Sequence, residues 1–287
     1  MSHAKRKREL LDAVVERVHA RVPAPHTAAM AAFVETFYAR IDAADLIDRS
    51  VDELYGAALS LWHLMQERDA GTATLRVYNP TVPEHGWQSK HTIVEMVNDD
   101  MPFLVDSVTT ELNRHGLALH MIVHPVVRVQ RDAAGTQQTI SANYSVGDGQ
   151  LESLIQAEVD RRSDPAALAA LSEGLARVLN DVRVVVSDWQ PMLGRLRECI
   201  GESRHYPGPQ NGEQSAEESA FLEWLADGNF TLLGSRNYEL GSAADDDVLR
   251  IVPESGLGIL RGGGEVSGSF ANLSPELRAR IREPKLL

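Results

Sequence analysis

Residues 91–131 read HTIVEMVNDDMPFLVDSVTTELNRHGLALHMIVHPVVRVQR. HTIVEMVN alternates as a strand does. An acidic turn follows, in which Asp99 or Asp100 is placed to cap a helix whose first turn takes Pro102, since no N–H is needed there. Leu104, Val108 and Leu112 form the inward stripe of that helix. Gly116 is placed as its C-terminal stop. LALHMIVHPVVRVQR then reads as one long strand. The order strand, acidic turn, helix, strand decides the class, α+β.

Downstream, DAAG is a turn, TQQTISANYSV a weaker strand and LESLIQAEVD another. Asp164-Pro165 opens a helix as cap and first position. From Leu168 to Cys199 that helix keeps apolar residues alternately three and four apart, with Pro191 expected to kink it. The spacing suits a long helix packed on a sheet better than a coiled coil, because the flanking positions lack a complementary charge pattern. With a later strand, the order matches the βαββαβ, ferredoxin-like arrangement.

Upstream, residues 1–71 are helical in pattern. Leu10, Leu11, Val14, Val15 and Val18 recur at helical spacing up to Pro23 and Pro25, and Met30, Phe33, Val34, Phe37 and Tyr38 make a second run. Ser50 and Glu53 form a capping-box pattern ahead of a third run. Residues 72–200 then form the α+β domain, 201–217 (GESRHYPGPQNGEQSAE) a linker, and 218–287 a further α+β unit that looks incomplete, ending at IREPKLL as if opening another strand.

The chain has 287 residues, 43% hydrophobic and 24% charged, with 41 acidic against 28 basic side chains. A net charge of −13 argues against a nucleic-acid surface, which needs clustered Lys and Arg. No apolar run reaches the roughly 18 residues of a membrane span, and Glu9, Asp12 and Glu16 interrupt any signal-peptide core. Cys199 stands alone, which with the absent signal points to a reducing, cytoplasmic setting.

The turn Asn98-Asp99-Asp100-Met101-Pro102-Phe103 is the first candidate site, because a strand-to-helix turn aims backbone N–H groups at one spot. Residues Asp100 to Val108, DMPFLVDSV, resemble the D-x-P-G-L-L-x-x-V signature of ACT domains, with Phe103 at the usual Gly position. The resemblance implies an amino-acid effector at Asn98, Asp99, Asp100, Met101 and Phe103. Phe103, where a ligand would approach the backbone of a glycine, implies a closed site or an interface.

More widely, NDDMPFLVDSV, IVHPVVRV, the Asp164-Pro165 helix, FLEWLADGNFTLLGSRNYEL and SGLGILRG are similar to the N-terminal part of the large bacterial NAD-specific glutamate dehydrogenases. The resemblance spans most of residues 30–287. It implies a regulatory or assembly segment of a homo-oligomeric enzyme whose catalytic and NAD-binding residues lie in the rest of the same polypeptide. The competing reading is a free-standing ACT-like sensing or scaffolding protein, against which the apolar end at Leu287 speaks.

The other candidates are weaker. Gly256-Leu-Gly258-Ile-Leu-Arg-Gly262 approaches a dinucleotide fingerprint, but the glycine-rich sequence after it is no helix, so NAD is not expected here. His120 and His124 share a strand face roughly 13 Å apart, too far for one metal. His91 falls on a neighbouring strand. Asp245, Asp246 and Asp247 read as a solvated turn, not a calcium loop. Cys199 and the tryptophans 62, 189 and 224 read as core, leaving Trp87 in a loop to meet a ligand or partner.

Overall fold

In the computed structural model the described residues are 2–141, 147–205, 212–243, 246–262, 266–267, 274 and 276. The chain divides into two compact units, Met1–Leu179 and Asn180–Leu287.

The first unit opens with α1 (His3–Arg21), α2 (Thr27–Tyr38), the short α3 (Ala43–Leu46) and α4 (Val51–Leu64). Ser2, Asp42 and Ser50 cap three of these helices by accepting from the amides of Lys5, Ala44 and Glu53. Only half of the capping box forms, because the Glu53 carboxylate takes Arg49 at 3.2 Å. Met30, Phe33, Val34 and Phe37 of α2 and Leu54, Leu61 and Trp62 of α4 are buried in one core with Val97, Met121, Val123, Val127, Val129 and Leu154 of the sheet. The helices and the sheet therefore share a core, and the apolar faces of α1, α2 and α4 have no other place to go.

The sheet is built from β1 (Thr74–Tyr78), β2 (Thr92–Asp99), β3 (Leu119–Val123), β4 (Val126–Arg131), β5 (Gln137–Ser141) and β6 (Gln150–Val159), with α5 (Val82–His85) between the first two and α6 (Leu104–Arg114) between the second and third. The order is β1-β2-β6-β4-β5, with β3 also on β6 and every pairing antiparallel. The strand beside β2 thus comes from upstream. β2 alternates in direction but not in exposure. Ile93 and Val97 join the core below the helices, while Val94 and Met96, pointing the other way, are just as buried.

The expected long strand from Leu117 to Arg131 is broken. β3 pairs with Gln156–Val159 and β4 with Gln150–Ser153, on the same edge of β6. Pro125, lacking an N–H, sits at the break, and its carbonyl accepts from the Leu154 amide at 3.0 Å. Gly135 closes the β4–β5 turn at φ +80°, where a Cβ would lie 2.4 Å from the Arg68 carbonyl oxygen.

α7 (Pro165–His205) starts as the sequence predicts, with Asp164 accepting from the Ala166 amide, and it continues past Pro191. The division between the units falls within it. Leu171, Leu175, Val182, Val185 and Met192 of the expected stripe are buried, joined by Leu179, Leu193 and Ile200, while Cys199 at its end is exposed. A 3.6-residue period slips against a strict three-four alternation, so the core role expected for Cys199 passes to its neighbour.

In the second unit, α8 (Gly212–Trp224) already begins within the stretch read as a linker. Of residues 201–217, those up to 205 finish α7, and 206–211 lie outside the described residues. The strand expected over NFTLLGSRNYEL divides into β7 (Gly234–Ser235) and β8 (Tyr238–Ala243). β8 forms an antiparallel pair with β9 (Asp246–Ile251), β10 (Leu257–Gly258) pairs with β7, and β11 (Val266–Ser267) with β9. Asp246 and Asp247 are in β9 rather than in a turn. The closing IREPKLL lies outside the described residues.

Candidate functional site

The acidic turn ends β2 with Asn98 and Asp99 and then leads into α6. Asp99 and Asp100 do not cap that helix. Its N-cap is Phe103, at φ +70° and with no side-chain cap bond, so Pro102 falls before the helix instead of in its first turn. A left-handed backbone at this position gives a physical reason for a glycine there, independent of any ligand. Phe103 is 45% exposed.

The carboxylates of the turn are held by the protein itself. Asp99 Oδ1 accepts from Arg68 Nη2 at 2.7 Å. Asp100 Oδ1 accepts from the Ser153 hydroxyl at 2.6 Å, and its amide donates to the Leu151 carbonyl. Ser153 Oγ also lies 3.0 Å from His124 Nε2. Because the single serine proton goes to Asp100, His124 Nε2–H is the donor in that contact. The order His124–Ser153–Asp100 puts the serine in the middle. A nucleophilic triad needs the histidine there, so the trio is a structural relay that ties the turn to β6 and to the β3–β4 break. Burial holds the His124 pKa below its ordinary value, against the attraction of Asp100.

Beside the turn lies a buried ion cluster that the sequence reading missed. Glu152 of β6 is 1% exposed and accepts from Arg68 Nε and Nη2 at 3.2 and 2.8 Å and from Arg131 Nε and Nη2 at 2.7 and 2.8 Å. Two more buried strand glutamates are clamped in the same way. Glu158 takes both Nη groups of Arg49 at 2.5 and 2.8 Å, and Glu95 takes Arg76 Nη2 and Nε at 2.5 and 3.1 Å. Arg49 and Arg68 flank α4, so their pairs link the helical layer to the sheet. A signal was present in LESLIQAEVD, where Glu152, Gln156 and Glu158 fall on one face of an otherwise apolar strand. A buried carboxylate persists only with charged partners at hand.

The remaining candidates resolve one by one. His91 does reach His120, their rings 4.2 Å apart, and His120 Nε2 lies 2.8 Å from Asp160, whereas His124 belongs to the Ser153 relay. Among the described residues no group of three His, Cys, Asp or Glu could hold a metal ion. Trp87 is largely covered, though it lines part of a surface cleft. It is 4% exposed, packs edge-on to Tyr78 and lies where a Cβ on Gly56 would stand 2.3 Å away. Trp62 is buried as expected, but Trp224 is 50% exposed and stacks on the exposed Phe221.

The glycine loop is a tight structural turn. A Cβ on Gly256 would meet the Leu260 carbonyl at 2.1 Å, and one on Gly258, at φ +58°, the Leu233 carbonyl at 2.2 Å. The Gly258 amide already donates to Asp188 Oδ2 at 2.7 Å, and Arg261 pairs with the same carboxylate. A pyrophosphate would face Asp188 there, so the loop does not fit a dinucleotide.

Neither of two cavities on the first unit is lined by Asn98, Asp99, Asp100, Met101 or Phe103. The smaller, of about 550 Å³, ends on Arg68, Arg131 and Glu152. The larger, of about 1350 Å³, lies between the α3–α4 segment and the loop before β2.

The family described as "Glutamate dehydrogenase, ACT1 domain" matches residues 33–175. The chain is 40% identical over 255 residues to the NAD-specific glutamate dehydrogenase of Halomonas elongata, an alignment covering 88% of this chain and 16% of that one. It is 37% identical over 259 residues to the protein of the same description from Pseudomonas aeruginosa, covering 89% and 16%. To the one from Mycobacterium tuberculosis it is 30% identical over 203 residues, covering 70% and 12%. The chain thus spans only a small part of the length of these relatives.

Proposed function

Because the chain belongs to the family of NAD-specific glutamate dehydrogenases, of which it is an N-terminal part, we propose that it serves as a regulatory and assembly segment of such an enzyme. The whole protein would oxidise L-glutamate with NAD and water to 2-oxoglutarate, ammonia and NADH, in the cytoplasm and as a homo-oligomer. The catalytic and NAD-binding residues would belong to the rest of the polypeptide. The observation that carries this reading is the match of the ACT1 family to residues 33–175, which takes in β1 to β6 and α6. No helix among the described residues is long and apolar enough to cross a membrane.

In this reading residues 72–200 are an ACT-like domain, 1–71 its helical cover, 201–217 the connection and 218–287 part of a further unit. The sheet order supports a ferredoxin-like arrangement in which β1, from upstream, takes the edge place that a final strand would fill. The turn of Asn98, Asp99, Asp100, Met101 and Phe103 serves as an effector-responsive contact. Its carboxylates are held by Arg68 and Ser153, so exposed Phe103 is the group left to meet a neighbour or a ligand. An effector that binds two conformations unequally would shift their populations and so reach a distant active site.

The test is glutamate-dependent NADH formation by the full-length protein, with and without added amino acids, alongside its mass in solution. Phe103→Gly should change the effector response or the oligomer while leaving the basal turnover intact. An unchanged response and mass would refute the role given to the turn. Reduction of NAD by residues 1–287 alone would refute the placing of catalysis elsewhere.

A further inference from the structure

The larger cleft lies at the other end of β2 from the turn, roughly 26 Å away at about 3.3 Å per residue. Its lining carries charges of both signs. From the loop before β2, from β3 and from the end of β6 come Lys90, His91, His120 and Arg161. From the α3–α4 segment come Asp45 and Asp48, beside Asp52, Glu53 and Arg49, and Arg21 of α1 also lines the cleft.

Several of these charges are already spent. Asp52 pairs with Arg17, Glu53 with Arg49, and Arg161 gives one N–H to the Ser89 carbonyl at 2.9 Å. The side chains of Lys90, Asp45 and Asp48 have no hydrogen bond or ion pair among the described residues, and all three are exposed. At the cationic end the His91 and His120 rings lie 4.2 Å apart, tilted by 31°, and His120 is itself held by Asp160 at 2.8 Å. Burial first holds the His91 pKa down, Glu158 opposes it, and His120, Lys90 and Arg49 add smaller lowering effects. A polyanion would meet the aspartates, and a simple cation would meet Lys90 and Arg161. A ligand with one charge of each sign satisfies both ends.

We propose that this cleft binds a zwitterion, a molecule with a free carboxylate and a free ammonium group, a free amino acid or a short peptide. Lys90 and Arg161 hold the carboxylate beside the His91–His120 pair, and Asp45 and Asp48 hold the ammonium group. This deepens the regulatory reading and rests on it. It moves effector capture from the turn to the opposite end of the central strands.

The experiment is calorimetric titration of the full-length protein with each proteinogenic L-amino acid and with dialanine, followed by the N-acetyl and carboxamide derivatives of any binder. Blocking either charge should weaken binding about tenfold or more, the usual reach of one charge-assisted contact. Lys90→Gln and Asp48→Asn should each do the same. Both positions are exposed, so an unaltered unfolding midpoint would show the fold intact.

A preference for dialanine over free amino acids names the peptide source, and the converse names the amino acid. No heat from any of these probes overturns the proposal. Binding that ignores both cleft substitutions but is lost in Phe103→Gly overturns it and returns the effector to the turn. Binding that depends on the cleft but leaves NADH formation unchanged upholds the site and refutes the regulatory reading instead.

Discussion

Replacing Glu152 by Gln tests whether buried ion pairs hold the helical layer on the sheet. The side chain keeps its shape but loses its charge, and its amide group presents N–H to guanidinium N–H. Arg68, Arg131 and Asp99 are then left with an uncompensated positive charge in a site where the Arg68 and Glu152 side chains are each 1% exposed. Breaking a buried pair by removing one partner costs about 3–5 kcal/mol. The low end applies, because Arg68 keeps the Thr72 carbonyl at 2.8 Å and Arg131 keeps those of Met65 and Gly135, each at 2.8 Å. A loss of about 3 kcal/mol lowers the melting temperature by roughly 6–12 °C for a unit of this size. Urea unfolding followed by circular dichroism reads it directly, with a lower midpoint and an unchanged slope. The double variant Arg131→Met/Glu152→Leu restores charge balance, leaving Arg68 with Asp99, and should recover much of the loss. A shift within about 0.5 kcal/mol for Glu152→Gln, the size of a surface substitution, would refute the reasoning. So would a double variant no better than the single.

Other outcomes follow from single features of the same unit. Phe103→Gly relieves a left-handed backbone at φ +70° and should raise stability by about 1 kcal/mol, read as a higher urea midpoint. Asp100→Ala removes the acceptor of the Ser153 hydroxyl and should cost about 1.5–3 kcal/mol, more than the roughly 1 kcal/mol of a lost helix cap. His124 has a lowered pKa, so its contribution is fully present above its ordinary value of 6.5 and is lost as the pH falls from there through the lowered value. His124→Gln should flatten that part of the stability-against-pH curve, and an identical slope in the variant would assign it to His63 and His91, whose pKa values are lowered too. Glu111 is held below 4.5 first by its bond to Arg114, so the stability it gives is present above pH 4.5 and lost in stronger acid. Gly174→Ala would place a Cβ 2.0 Å from Glu111 Oε1 and should destabilise by about 1–3 kcal/mol, measured by thermal unfolding.

Most of the element order was legible along the chain, though not the break at Pro125 or the division of NFTLLGSRNYEL into two strands. Periodicity and caps at Ser50 and Asp164 announced the helices, and the run from His91 to Arg131 announced strand, turn, helix and strand. These signals are local, carried within a few residues of chain, and so they are legible without the fold. The sequence also identified the family, through NDDMPFLVDSV and its neighbours. What it could not determine was which side chains meet. The acidic turn looked like a helix cap because aspartates before a helix usually are. Only the tertiary structure brought Arg68 from the end of α4 and Ser153 from β6 to those aspartates, leaving Phe103 to start α6. Trp87 looked available because loops are exposed on average, yet the absence of a Cβ on Gly56 leaves room to bury it. The cleft with Asp45 and Asp48 on one side and Lys90 and Arg161 on the other joins residues more than a hundred positions apart. Charge pairing acts through space and helix and strand periodicity along the chain, so the elements were legible in the sequence and the sites were not.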